Sequence, residues 1–196
     1  MARTKDFDEN EVLTRAMNLF WSRGYNAISM DELVTGLGIS RSSLYGTYTD
    51  KHTLFMKALE NYERVGFARV REIADRPGTA KETIKKLIEV FTEGLQNGKE
   101  KKGCFMVNAG VELAPHDKAV NNLVCRNDQQ LEELFYQVIQ KGKKNGEIKT
   151  RHETRRLARF MFNTVRGLQV TTKSTSDKSV LDDIIRLALS TLDQNS

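Results

Sequence analysis

The chain has 196 residues, with 31 Lys and Arg against 26 Asp and Glu for a net charge of +5, and 39% hydrophobic residues. That length gives one large domain or two small ones whose core needs no metal or disulfide staple. Two prolines, and two cysteines without a C-x-x-C pair, exclude collagenous, mucin-like, zinc-finger and disulfide-framework classes.

Val12, Leu13, Ala16, Met17, Leu19 and Phe20 recur with helical period and stop at Gly24, which predicts a first helix over 8–23 with a glycine C-cap. Ser29 followed three residues later by Glu32 is a capping box, so a short second helix runs from Met30 to about Gly36. Gly36-Leu37-Gly38-Ile39 breaks it, and Ser40 caps a third helix from Arg41 to about Tyr48. Thr49 or Asp50 caps a longer helix, Lys51 to about Arg76, closed by Pro77-Gly78. Further helices are predicted from Ala80 to about Asn97, Gly103 to Ala114, Asp117 to Lys144, His152 to Lys173 and Ser179 to Asp193. No segment alternates with period two. The fold class is therefore all-α: a three-helix helix-turn-helix unit over 1–50, then a larger helical domain over 51–196. The last two helices are apolar over more than one stripe, so each needs a second partner surface.

No apolar run approaches the roughly 18 residues of a membrane span. The acidic start around Asp6, Asp8, Glu9 and Glu11 is unlike a signal peptide. No membrane partner is expected, and the cytoplasm is the expected compartment. The basicity does not come from the helix-turn-helix: residues 1–64 carry 8 basic and 9 acidic groups, whereas 141–173 carry 10 and 2. A nucleic-acid reading thus rests on placement, with Arg3, Lys5, Arg41 and Lys51 flanking the short helices. The basic block between Lys141 and Arg159 reads most simply as a solvated surface.

The runs Ala16-Met17-Asn18-Leu19-Phe20-Trp21-Ser22-Arg23-Gly24-Tyr25, Ser29-Met30-Asp31-Glu32-Leu33, Gly38-Ile39-Ser40-Arg41-Ser42-Ser43-Leu44-Tyr45 and Tyr48-Thr49-Asp50-Lys51-His52-Thr53-Leu54-Phe55 resemble the N-terminal domain of the TetR family of bacterial transcriptional repressors. The resemblance covers roughly the first 65 residues. It implies a ligand-responsive repressor: a homodimer that binds double-stranded palindromic operator DNA and releases it when a small-molecule effector enters the C-terminal domain. It also implies phosphate contacts for Tyr45, Thr47 and Lys51. The family often carries a larger side chain where Gly46 stands, and Pro or Gly where Thr49 stands.

The residues themselves agree with that picture. Stepping about 100° per residue puts Leu44 and Tyr48 together on the inner side of the third helix, leaving Ser42, Ser43, Tyr45 and Gly46 to face outward. Such a short-chained polar face suits a major groove, and Arg41 at the helix start can reach a phosphate or guanine edge. The helix starts after Ser29, at Met30, and after Ser40 offer free N–H groups to phosphates. In the second domain, Phe91, Cys104, Phe105, Met106, Asn108, Glu112, Phe160 and Met161 are candidate walls of an effector pocket, and the last two helices are the expected dimer contact. Cys104 follows Lys101, Lys102 and Gly103 at a helix start, which favours a thiolate; the neighbouring Phe105-Met106-Val107 favours simple packing.

No cofactor, metal or enzymatic activity is expected. Cys104 and His116 are twelve positions apart, roughly 18 Å along a helix, and neither a phosphate loop nor a nucleophile elbow is present. His52, His116 and His152 lack metal-ligand spacing. The alternative reading is an all-helical dimeric interaction protein without sequence-specific DNA binding.

Overall fold

A computed structural model describes residues 7–96, 102–175 and 177–193. Arg3, Lys5 and Lys101 lie outside the described residues, as does Asn97 at the expected end of the fifth helix. Among the described residues the chain forms α1 (Glu9–Arg23), α2 (Met30–Leu37), α3 (Arg41–Tyr48), α4 (Lys51–Asp75), α5 (Ala80–Gln96), α6 (Phe105–Glu112), α7 (Lys118–Lys144), α8 (Thr154–Ser174) and α9 (Lys178–Ser190), with no strand. The helical periods locate each element to within three residues of these ends.

Local chemistry explains that agreement. Most helix starts carry a side chain that takes an otherwise unpaired N–H. Asp8 accepts from the amide of Asn10, Ser40 from Ser43, Asp50 from Thr53, Asp117 from Val120 and Asp177 from Ser179. Ser29 and Glu32 form the full capping box, and Thr79 and Glu82 form an equivalent exchange before α5. The choice between Thr49 and Asp50 resolves on Asp50. Thr49 instead takes φ 64° and ψ −53°, and the Asp50 amide bonds the Tyr48 carbonyl at 2.6 Å. This is a γ-turn of the strained hand at a β-branched residue, a conformation that glycine adopts without strain.

Two hydrophobic clusters divide the molecule. One joins α1 to α4 through Phe20, Leu33, Leu37, Leu44, Tyr48 and Phe55, and it also takes in Phe105, Met106 and Leu113 around α6. The other packs α5, α7, α8 and α9 through Leu87, Phe135, Ile139, Met161, Leu168 and Ile185. Although α6 is remote in sequence from the helix-turn-helix, it is bound to it. The Trp21 indole donates to the Gly103 carbonyl at 2.9 Å. Glu112 accepts from the amides of Tyr25 and Asn26 at 3.1 and 2.8 Å. His52 Nε2 bonds Asp117 Oδ2 at 2.7 Å, tying α4 to the start of α7.

The wide apolar faces of α8 and α9 are used on one side only. Leu157, Met161, Val165, Leu181, Ile185 and Ala188 are buried, while Phe160, Val170, Val180, Ile184 and Leu187 are exposed, Leu187 to 70%.

Candidate nucleic-acid interface and adjoining cavity

Leu44 and Tyr48 anchor α3 in the first core, so the rest of its surface turns outward. Arg41, Ser42, Tyr45 and Gly46 are exposed, Tyr45 to 42%, and Ser43 and Thr47 are half-buried at the edge of the same face. A side chain at Gly46 would meet no atom within 4 Å, so nothing inside the protein requires glycine there. The Ser40 hydroxyl also bonds the hydroxyls of Ser42 and Ser43 at 2.9 Å each, which fixes a small polar cluster at the helix start. Arg41 is held by Asp31 of α2, so a DNA contact by Arg41 exchanges that exposed pair for a phosphate or base. The Ser40 hydroxyl takes the Ser43 amide, which leaves the backbone N–H groups of Arg41 and Ser42 in the first turn of α3 to face a phosphate.

At the flank, Ser29 is exposed with its hydroxyl committed to Glu32, and Met30 packs partly against the first core. The Lys51 ammonium lies 4.5 Å from the centre of the Tyr25 ring. Burial holds it below the ordinary lysine value, against the opposing pull of the Glu112 and Glu32 carboxylates. The ten residues expected to meet DNA thus fall on one end of the molecule, along α3 and the two helix starts beside it.

Behind this head lies a cavity of about 470 Å³, walled by α1, α4, α5, α6, α7 and α8 and open to solvent beside Val65, Gly66 and Arg69. Of the eight residues expected around a pocket, Phe91, Cys104 and Met106 line it. The other five do not, and each for a physical reason. Phe105 is turned into the first core, edge-on to Phe55 and Tyr62 at 5.6 and 5.7 Å. Met161 is fully buried in the second core, and Phe160 is on the outer surface. Asn108 bonds the Lys102 carbonyl and the Lys173 ammonium, and Glu112 caps the loop after α1. The remaining wall comes from residues the sequence reading passed over, including Trp21, Tyr62, Glu63, Asn127, Arg166 and Gln169. A signal for three of them was present: Asn127, Arg166 and Gln169 are polar residues at helical positions otherwise filled by core side chains.

Cys104 sits on the cavity wall and is 5% exposed, while Cys125 is exposed. The Cys104 sulfur accepts from the Tyr62 hydroxyl at 3.6 Å and from Arg166 Nη1 at 3.8 Å. Burial pushes the Tyr62 hydroxyl well above its ordinary value, and the adjacent sulfur adds to that. Arg166 also reaches Gln169 Oε1 at 3.4 Å and pairs with Asp128. Glu63 of α4, also on the cavity wall, takes Arg126 Nε and Nη2 at 3.3 and 2.9 Å. No group of three or more potential metal-ligating side chains occurs among the described residues, and no described helix is long and apolar enough to cross a membrane.

A helix-turn-helix head joined through α6 to a helical body with an inner cavity is the architecture of a DNA-binding regulator. Residues 12–58 match the model for bacterial regulatory proteins of the tetR family, and residues 80–188 match the tetracyclin repressor-like C-terminal domain. The chain is 34% identical to the uncharacterized HTH-type transcriptional regulator YezE of Bacillus subtilis (strain 168), over 98% of this chain and 100% of that one. It is 25% identical to the HTH-type transcriptional repressor ComR of Escherichia coli (strain K12), over 97% of this chain and 90% of that one. Among solved structures, a cysteine mutant of the TetR family regulator CifR, complexed with 26bp double-strand operator DNA, matches with a TM-score of 0.84 and 26% identity over 96% of this chain and 98% of that one. The chain belongs to the TetR family of transcriptional regulators.

Proposed function

We propose that this chain is a repressor that binds a palindromic operator as a homodimer in the cytoplasm and lets go when a small molecule enters the cavity. The observation that carries this reading is the division of α3: Leu44 and Tyr48 hold it in the core, and Arg41, Ser42, Tyr45 and Gly46 are left exposed with no internal role for Gly46. In this reading residues 1–50 read DNA, with Ser42, Ser43, Tyr45, Gly46 and Thr47 against the groove. Ser29, Met30, Ser40 and Lys51 lie along the phosphates, and Arg41 reaches a base or phosphate. Residues 51–196 hold the effector and the partner subunit. The exposed apolar side chains of α8 and α9 form the self-complementary patch that a two-fold dimer requires.

The cavity walls supply a route from ligand to DNA. Thr14, Met17 and Trp21 of α1 line it directly, and α6 grips the head through Trp21 and Glu112. A ligand that fits better when α1, α4 and α6 shift therefore favours a dimer whose two α3 helices no longer match the spacing of the half-sites.

Selection of bound sequences from random duplex DNA tests the reading, followed by binding to the selected site at several salt concentrations. A palindromic consensus and salt-dependent binding are expected. Arg41→Ala or Tyr45→Ala should weaken the selected site by about 1–3 kcal/mol with dimerisation intact, and Lys51→Ala should lower the salt slope by about one unit for all duplexes. No enrichment, and no effect of any of the three substitutions, would leave the helical interaction protein as the better reading.

A further inference from the structure

Two side chains on the cavity wall are buried with half of their hydrogen-bonding capacity unused. Gln169 is 4% exposed and Asn127 6% exposed, and both line the cavity. Gln169 Oε1 accepts from Arg166 Nη1 at 3.4 Å, and Asn127 Nδ2 donates to Asp128 Oδ1 at 3.3 Å. These orientations are forced, because a guanidinium only donates and a carboxylate only accepts. The outward end of Gln169 is therefore its amide nitrogen, a donor. That of Asn127 is its amide oxygen, an acceptor. Neither atom has a protein partner among the described residues. No buried side-chain N or O atom among the described residues is left without a hydrogen bond, so both atoms reach the space of the cavity, where the head of a ligand can replace water as their partner.

Charge narrows the identity of that partner. Arg166 is neutralised by Asp128, and Glu63 by the two-point contact with Arg126; Arg69, the other charged side chain on the wall, is exposed. An ionic head entering here would lose its water without meeting an unpaired opposite charge inside. The rest of the wall is apolar, with Met17, Phe67, Phe91 and Leu131 among it.

We propose that the cavity selects an uncharged amphipathic molecule whose head pairs a carbonyl acceptor with an N–H or O–H donor, as a primary carboxamide does, and whose hydrocarbon tail lies on the apolar wall. The Gln169 nitrogen donates to the carbonyl of the head, and the Asn127 oxygen accepts from its N–H. This assignment of ligand class rests on reading the cavity as the effector site.

Trp21 is the sole tryptophan of the chain and lines the cavity, so its fluorescence reports occupancy. The full-length protein is titrated with octanamide, octanoate and octylammonium, which share a tail length and differ in head charge. Octanamide should bind with a Kd at least tenfold below the other two. Gln169→Leu and Asn127→Leu should each raise the octanamide Kd at least tenfold. Tighter octanoate would overturn the proposal in favour of Arg166 as an anion anchor, and tighter octylammonium in favour of Glu63. Equal affinities, or no fluorescence change with any probe up to its solubility, would also overturn it, and these comparisons need only the native protein if either variant fails to fold. Operator release is measured separately on the same samples. Octanamide that binds beside Trp21 but leaves the DNA complex intact would remove the effector reading while the ligand class stands.

Discussion

The head and the cavity satisfy their polar groups in opposite ways. At the helix starts of the head the partners are sequence neighbours: Ser29 with Glu32, Ser40 with Ser43 and Asp50 with Thr53, each three positions apart, whereas remote bonds such as Glu112 to Tyr25 only dock the head on the body. Around the cavity they are remote: Glu63 meets Arg126, Arg166 meets Asp128 and Tyr62 meets Cys104, at separations of 63, 38 and 42 positions. A local exchange forms as soon as its helix nucleates, and it can be lost without opening the rest of the molecule. A remote pair exists only after the body has closed, so its loss is felt through the whole cooperative unit.

Glycine gives the largest test of that contrast. A Cβ on Gly142 of α7 would stand 2.4 Å from the Ala80 Cβ and 2.8 Å from Ile148 Cδ1. The Ala80 methyl cannot rotate away, so Gly142→Ala should destabilise the protein by about 3 kcal/mol through overpacking. Gly46→Ala on the head meets nothing and should instead stabilise it by about 0.5–1 kcal/mol through helix propensity. Urea unfolding of both variants checks the pair, and operator binding by Gly46→Ala shows whether DNA approaches that backbone. A loss of stability at Gly46 as large as at Gly142 would erase the distinction between the two regions.

Next in size is Asp128→Ala, which leaves Arg166 facing the cavity without its carboxylate. The pair is partly solvated, with side chains 16% and 34% exposed, so the expected cost is about 2 kcal/mol, below that of a fully buried pair. The same variant should gain affinity for octanoate in the tryptophan titration, since the freed guanidinium is then an anion site. Ser40→Ala should cost less, about 1 kcal/mol, because it removes only the cap of α3. Its larger signature should be fraying of the recognition helix, read as faster hydrogen exchange along Arg41–Tyr48 with exchange in α7 unchanged.

The smallest expected effect is in acid. The amide of Val120 first, then the His52 contact, hold the Asp117 carboxyl below its ordinary 3.8. The amide of Thr53 acts likewise on Asp50, and that of Ser29 on Glu32. A folded value below the unfolded one means that each contribution is present above the ordinary carboxylate value and is lost as pH falls through the depressed one. Thermal stability should therefore decline as the pH drops below about 4, and Asp117→Asn should flatten part of that decline. An identical pH profile for the variant would mean that the bond to His52 and the cap on α7 contribute nothing measurable.

What the sequence determined by itself was what neighbours decide: the helices from apolar period, the starts of α2 and α3 from the caps Ser29 and Ser40, and the outward face of α3 from the burial of Leu44 and Tyr48. The choice between Thr49 and Asp50 as the cap of α4 stayed open in the sequence, and the structure places it on Asp50. Tertiary structure decided the cavity. Whether Phe105 lines a pocket or stacks against Phe55, whether Glu112 orients a ligand or caps the loop at Tyr25, and whether Met161 or Asn127 faces the void depend on which helices lie beside α6, α7 and α8. That choice is set by contacts between residues dozens of positions apart. Helical period gives the face on which a side chain stands but not what stands opposite, and a binding site is made of what stands opposite.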